Sequence, residues 1–307
     1  MPQTFHLAHT FPQHLASDQL ISAESVARDV KAALLEDVGL AGEACDISDI
    51  LQRDLTAQLI APSKINTAQV LCRDHAVISG LAWVAQAFTT CDPEVHITWM
   101  VKDGDHVSPN TVLFEVTGLA QALLTAERTA LNFLQTMSAT ATVTAHYVAL
   151  LGTSTTRLLD TRKTLPGMRY AQKYAVQCGG GKNHRIGLAD AFLIKENHIM
   201  ACGGITQAVQ AAKGIASDKV VEVEVENTTE LHEAVEAGAD IIMLDNFTTE
   251  QILSAVDFNA GRSKLEVSGN ITDERIAELK TTGVDFISTG AITKHIQAID
   301  LSLRIIR

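Results

Sequence analysis

Beyond Gly152 the chain is built from short apolar runs, each ending at a polar or charged residue and each followed by a segment of helical periodicity. The runs occupy 158–160, 192–194, 220–225, 241–244, 265–267 and 286–287. Helical patterns separate the later ones at 231–237, 250–256 and 274–279, and Thr248 with Gln251 forms a capping-box signature. The residues marking the run ends are Thr161, Lys195, Glu224, Asp245, Ser268 and Thr289. They lie 21 to 34 residues apart, the length of one βα unit. Such repetition demands parallel strands whose C-terminal ends converge on one rim. Six strands rather than eight predict an open, incomplete α/β barrel, with an open doubly wound sheet as the structural alternative.

The first 120 residues lack this repetition. Apparent strands at 68–72 and 96–101, a helix at 81–88 and a turn at Asp103-Gly104 describe a small α+β domain. From Gln121 to Leu151 there is no Gly or Pro, and Leu123, Leu124, Ala130, Leu131 and Leu134 recur at helical spacing, which predicts a long connecting helix. The expected division is an N-terminal domain at 1–128 and a barrel at 129–292, with the tail 293–307 packing alongside the first domain.

The 36 Asp and Glu residues outnumber 24 Lys and Arg, a net charge of −12 that repels nucleic acid and anionic membranes. No apolar stretch reaches the ~18 residues that a membrane helix needs. Cys45, Cys72, Cys91, Cys178 and Cys202 are widely spread with no Cys-x-x-Cys pair, so reduced thiols and a cytoplasmic location are expected.

Against this acidic background, residues 157–195 hold Arg157, Arg162, Lys163, Arg169, Lys173, Lys182, Arg185 and Lys195 beside only Asp160 and Asp190. A basic enclave at strand ends suits a multiply anionic small molecule, because guanidinium groups bind carboxylate and phosphate bidentately. Arg157, Arg169 and Lys173 read better as solvated surface. Gly179-Gly180-Gly181 is not a phosphate loop: Val176 stands where the first glycine is required, and Asn183 where a Ser or Thr would meet magnesium. It reads as a tight turn delivering His184 and Arg185 to the basic pocket, with a structural hydrogen-bonding role for His184 equally open.

The strand at 220–226 alternates valine with Glu222, Glu224 and Glu226, placing three carboxylates on one face that needs cationic or metal partners if buried. One of these with Asp245, at the end of the next strand, suits Mg2+ or ribose hydroxyls. Ser268-Gly269-Asn270 and Thr289-Gly290-Ala291 each follow a strand and suit a phosphate at backbone N–H groups, a simple glycine turn being the alternative.

These residues belong to longer ordered motifs: the run from Thr125 to Asn132 with Arg128 within it, Asp160-Thr161-Arg162-Lys163-Thr164 with Pro166-Gly167, Lys173-Tyr174-Ala175-Val176, Cys178 through Arg185, and Asp245-Asn246. Together they resemble the quinolinate phosphoribosyltransferase family over most of the chain. The resemblance implies an N-terminal α/β sandwich, an open α/β barrel, and a homodimer in which one subunit's N-terminal domain covers its partner's barrel mouth. It implies a decarboxylating phosphoribosyl transfer. Quinolinate and phosphoribosyl pyrophosphate, with Mg2+, give nicotinate mononucleotide, pyrophosphate and carbon dioxide in de novo NAD synthesis.

Carried onto this sequence, the resemblance places Arg128, Thr161, Arg162, His184, Arg185 and Lys195 around quinolinate, with Arg128 reaching the neighbouring subunit's site. Lys163 faces the phosphoribosyl donor. Glu224 and Asp245 lie near ribose hydroxyls and magnesium and complete the catalytic set with Lys163. Ser268, Gly269, Asn270, Thr289, Gly290 and Ala291 match the phosphate turns. Leu165, Glu196 and Ala139 depart from the family pattern without removing a site charge, and an insertion is expected between Gly39 and Asp54. Two other readings stay open: a Schiff-base lyase or aldolase using Lys163 or Lys195, and a non-catalytic anion sensor or divergent paralogue such as relatives associated with molybdenum transport.

Overall fold

The computed structural model describes residues 20–40 and 47–306. Cys45, residues 1–19 of the first expected domain, and part of the insertion expected between Gly39 and Asp54 lie outside them. The Ser22 hydroxyl opens α1 (Ala23–Asp37) by accepting the Ser25 amide, and the Ser25 hydroxyl accepts the Ser22 amide in return. This satisfies two donors at the exposed helix start. There follow α2 (Ile47–Arg53), β1 (Ile65–Cys72), β2 (Ala76–Val77), α3 (Leu81–Cys91), β3 (His96–Trp99), β4 (His106–Val107) and β5 (Thr111–Leu119). The strand expected at 96–101 stops at Trp99, because the Lys102 amide bonds the Asp105 carboxylate and Gly104 turns the chain with φ +90°.

The connecting helix is α4 (Ala120–Leu151), 32 residues long. Leu123, Ala126, Ala130, Leu131, Leu134 and Met137 pack into the N-terminal core, while Leu151 belongs to the barrel core. The expected boundary at 128/129 therefore falls inside one continuous helix that serves both cores.

After α4 come β6 (Arg157–Leu159), α5 (Arg169–Cys178), β7 (Phe192–Ile194), α6 (Glu196–Cys202), α7 (Ile205–Ile215), β8 (Val221–Val225), α8 (Thr228–Glu236), β9 (Ile241–Asp245), α9 (Thr249–Asn259), β10 (Lys264–Ser268), α10 (Asp273–Leu279), β11 (Phe286–Ser288), α11 (Ala291–Lys294) and β12 (Leu301–Ile305). The Thr248–Gln251 capping box forms as expected at the start of α9. Strand β12 returns to the first domain and pairs antiparallel with β1, giving a sheet of order β12-β1-β5-β3. Trp83, Phe88 and Phe114 are fully buried in that domain, each contributing about 1.5–3 kcal/mol of burial.

The six barrel strands are parallel in the order β6-β11-β10-β9-β8-β7. β6 and β7 do not pair, so the barrel stays open, and the gap is narrowed by a single bridge between Leu159 and Lys182. Side chains alternate between faces. Val221, Val223, Val225, Ile242, Leu244, Leu265, Val267 and Ile287 join the core under the helices. Glu222, Glu224, Met243 and Glu266 take the opposite, inward face. Gly179 and Gly181 let the turn after α5 lie against α4: a Cβ on Gly179 would stand 2.7 Å from the Thr144 Cβ. Their task is close packing.

Candidate active site

The strand register assembles the rim. Ser268 pairs with Asp245 on one side and Ser288 on the other, and one residue beyond the Ile194–Val223 pair Lys195 lies beside Glu224. There the Lys195 ammonium donates to the Glu224 carboxylate. Thr161, Arg162, Lys195, Glu224, Asp245 and Ser268 are half-buried, whereas Lys163, Gly269 and Asn270 are exposed. Arg128 projects from an exposed position on α4, outside this rim.

Arg162 and Arg185, both half-buried, are neighbouring charges. Burial, reinforced by the neighbouring Arg162 charge, pulls the Arg185 guanidinium below its ordinary value. The Nε of each is buried without a partner, while Arg185 anchors Nη1 on the Ala191 carbonyl at 3.1 Å. Two neighbouring guanidiniums suit an anion, and a pair of adjacent carboxylates offers two.

The arms carrying these arginines are tied together from below. Asp160, immediately after β6, accepts the Lys173 ammonium, the Asn183 amide nitrogen at 2.6 Å and the His184 backbone amide at 2.8 Å. Lys173 is 0% exposed, so the expectation that it lies on a solvated surface is corrected: Asp160 and the His184 carbonyl satisfy its charge inside the protein. Arg169, also expected at the surface, is half-buried and donates to Thr164 Oγ1 and the Ile186 carbonyl, both at 3.3 Å. Arg157 is exposed as expected.

His184 uses both ring nitrogens within the protein. Nε2 meets Glu222 at 2.9 Å, and Nδ1 accepts the Arg185 amide at 2.8 Å. The Arg185 amide at Nδ1 keeps a ring proton on Nε2 toward Glu222, and although burial opposes the imidazolium, Glu266 and Glu222 outweigh it and push His184 up to about 9. His184, Glu222 and Glu266 form the one metal-like cluster among the described residues. The tautomer argues against a metal, because a metal-bound histidine donates from its other nitrogen and here that nitrogen accepts.

A proton fits better. Glu222 Oε1, both Glu266 oxygens and Ser288 Oγ are buried without partners, and a neutral Glu266 supplies a missing donor. Burial, with Glu222 beside it, pushes Glu266 up to about 8. An unfolded glutamate titrates near ~4.3, so between these values the folded state binds the extra proton and stability falls as pH rises. Glu266→Gln is expected to flatten that slope by about 1 kcal/mol per pH unit, so that the variant gains Tm over the parent between about pH 5 and about pH 8. Parallel melting curves across the range contradict the assignment.

The acidic and phosphate edges adjoin. Asn246 and Asn270 adopt left-handed backbone with φ +57° and +31°, and a Cβ on Gly269 would lie 3.7 Å from Asp245 Oδ1, so the loops after β9 and β10 touch. Gly290 sits under Lys163: a Cβ there would stand 2.9 Å from the lysine Cδ and 3.2 Å from Thr161 Oγ1. The lysine thus crosses the Thr289-Gly290-Ala291 turn. A cavity of about 1260 Å³ lies between α1, residues 129–133 of α4, residues 164–170 and Ile186-Gly187. Its wall includes none of Arg162, Lys163, Arg185, Lys195, Glu224 or Asp245.

The family model for the quinolinate phosphoribosyl transferase N-terminal domain matches residues 54–138, and that for its C-terminal domain matches 140–304. The chain belongs to the quinolinate phosphoribosyltransferase family. The two family domains meet within α4. A probable nicotinate-nucleotide pyrophosphorylase (carboxylating) of Bacillus subtilis is 39% identical over 258 residues, 84% of this chain and 89% of the relative. The chloroplastic enzyme of that name from Arabidopsis thaliana is 36% identical, covering 90% of this chain and 81% of the relative. The nicotinate-nucleotide pyrophosphorylase structure from Francisella tularensis superposes with a TM-score of 0.87 at 49% identity, covering 94% of this chain and all of that one. Within this family frame, the residues that sequence reasoning passes over are Asp160, Asn183 and Glu266. Glu266 carries a usable signal, a charged residue flanked by Leu265 and Val267 in a strand buried on both faces.

Proposed function

We propose that this chain transfers the phosphoribosyl group of phosphoribosyl pyrophosphate to quinolinate with loss of carbon dioxide, yielding nicotinate mononucleotide for NAD synthesis. The observation that carries this reading is the Arg162–Arg185 pair, two half-buried neighbouring guanidiniums that suit vicinal carboxylates. In the reaction the pyridine nitrogen forms a bond to the ribose anomeric carbon as the bond to pyrophosphate breaks. The ring becomes a pyridinium, which accepts the electron pair left when the adjacent carboxylate departs as carbon dioxide, and that carbon takes a proton from water. No covalent nucleophile is required, so positioning and electrostatics carry the step.

Arg162, Arg185 and Lys195 orient the dicarboxylate, with Thr161 and His184 on the same arms and Arg128 contributed across a homodimer. Lys163 and the Ser268-Gly269-Asn270 and Thr289-Gly290-Ala291 turns hold the phosphates. Glu224 and Asp245 offer the hard oxygen donors that suit Mg2+ beside substrate phosphates, so the residues present fit the ion. Glu224 and Asp245 would hold the ion, which would supply positive charge to offset that on the departing pyrophosphate. Because Lys195 and Glu224 are paired to each other, substrate engages both by parting them. The same pairing disfavours a Schiff base at Lys195, since it ties the side-chain nitrogen to Glu224.

No described helix is long and apolar enough to cross a membrane. The cytoplasmic expectation stays part of this reading, supported by free Cys72, Cys91, Cys178 and Cys202. The purified protein is expected to release carbon dioxide and nicotinate mononucleotide in equal amounts from quinolinate, and product without carbon dioxide contradicts the reaction.

A further inference from the structure

We propose that the buried Asp160–Lys173 ion pair is a positioning device that holds the two arms of the dicarboxylate cradle, 161–163 and 184–185, at a set separation and so tunes selection of a vicinal dicarboxylate over a monocarboxylate. The inference rests on the quinolinate reading given above.

Asp160 leads directly into Thr161-Arg162-Lys163, so its carboxylate is fixed to the first arm. Its Oδ1 accepts both the Lys173 ammonium and, at 2.8 Å, the His184 amide. Lys173 in turn donates to the His184 carbonyl at 2.9 Å. The peptide groups on both sides of His184 are therefore gripped by the same ion pair, one residue before Arg185. Asn183 completes the clamp: its amide nitrogen donates to Asp160 Oδ2 at 2.6 Å and to the Lys173 carbonyl at 2.9 Å, while its oxygen accepts from Gln177 at 2.7 Å. Asp160 and Lys173 are 0% exposed and Asn183 3%.

Stability alone does not explain an ion pair at this depth. Burial raises the Asp160 carboxyl and lowers the Lys173 ammonium, opposing the charged state that their attraction favours. Apolar residues of similar volume commonly serve a core as well or better. What they cannot supply is the set of directed bonds to a backbone that must hold Arg185 near Arg162 against like-charge repulsion. A small displacement of one arm changes the spacing offered to two carboxylates at once. One carboxylate is far less sensitive to that spacing.

The test compares the wild-type protein, the double variant Asp160→Asn with Lys173→Met, and Asn183→Ala, measuring KM for each substrate, kcat, Tm and turnover of quinolinate against nicotinate. The double variant removes both charges together, so no buried ion is left unpaired, while the His184 carbonyl loses its Lys173 donor and Asn183 or the His184 amide loses an acceptor oxygen. It is expected to raise the quinolinate KM by about tenfold or more, with the phosphoribosyl pyrophosphate KM within about threefold, and to narrow the quinolinate preference by about tenfold. Asn183→Ala keeps the ion pair and is expected to raise the quinolinate KM by about threefold or more, which decides the matter if the double variant does not fold. An unchanged quinolinate KM in a folded variant, or an equal rise in both KM values alongside a lowered Tm, overturns the positioning role. A wild-type protein that does not turn over quinolinate overturns the functional reading itself.

Discussion

Arg162→Ala is expected to lose about 2–5 kcal/mol of quinolinate binding, a rise in KM of roughly thirtyfold to several thousandfold, while the phosphoribosyl pyrophosphate KM moves little. The size follows from burial. Arg162 is half-buried, so a carboxylate at its guanidinium gains a charge-assisted contact for which solvent competes weakly. Removing the guanidinium also leaves the ligand's charge facing Arg185 and Lys195 alone. Initial rates over a quinolinate series at saturating donor check this, and an unchanged quinolinate KM refutes the cradle.

Asp245→Asn is expected to lower kcat by about a hundredfold or more with a much smaller change in either KM. Asp245 stands at the rim beside Ser268 and the Gly269 turn, and in the proposed reaction cationic character grows there on the ribose as pyrophosphate leaves. Charge that matters chiefly in the transition state appears in kcat. The Asn246 side chain donates to Asp245 Oδ2 at 3.0 Å and orients the carboxylate without neutralising it. Full kcat in the variant removes Asp245 from the catalytic set.

Much of this arrangement is legible in the sequence for a specific reason. An apolar run that stops at a polar residue marks a strand end, and in a parallel barrel all strand ends face one rim. That logic places Lys195, Glu224, Asp245 and Ser268 together before any coordinates are considered. Strands β5 and β12 are harder to read. β5 mixes Thr111, Glu115 and Thr117 with apolar residues, and β12 is short and finds its partner β1 far away in the chain.

Lys173 is misread because charge argues for solvent, whereas its burial depends on Asp160, which reaches it only through the tertiary fold. The same holds for Glu222. Its place on an inward face follows from alternation, but its pairing with His184 depends on how the turn after α5 is laid against α4. The role proposed for Arg128 lies further out still, since this residue is exposed on α4 and the proposal needs a second copy of the chain.

The central claim is that paired guanidiniums select a dicarboxylate for phosphoribosyl transfer. Its most direct test is nicotinate mononucleotide formation by the purified protein with phosphoribosyl pyrophosphate and Mg2+, comparing quinolinate with nicotinate and including a metal-free control. The account predicts product from quinolinate, matched by carbon dioxide, with little from nicotinate and little without metal. Saturable quinolinate binding with no product, or equal use of nicotinate, contradicts it.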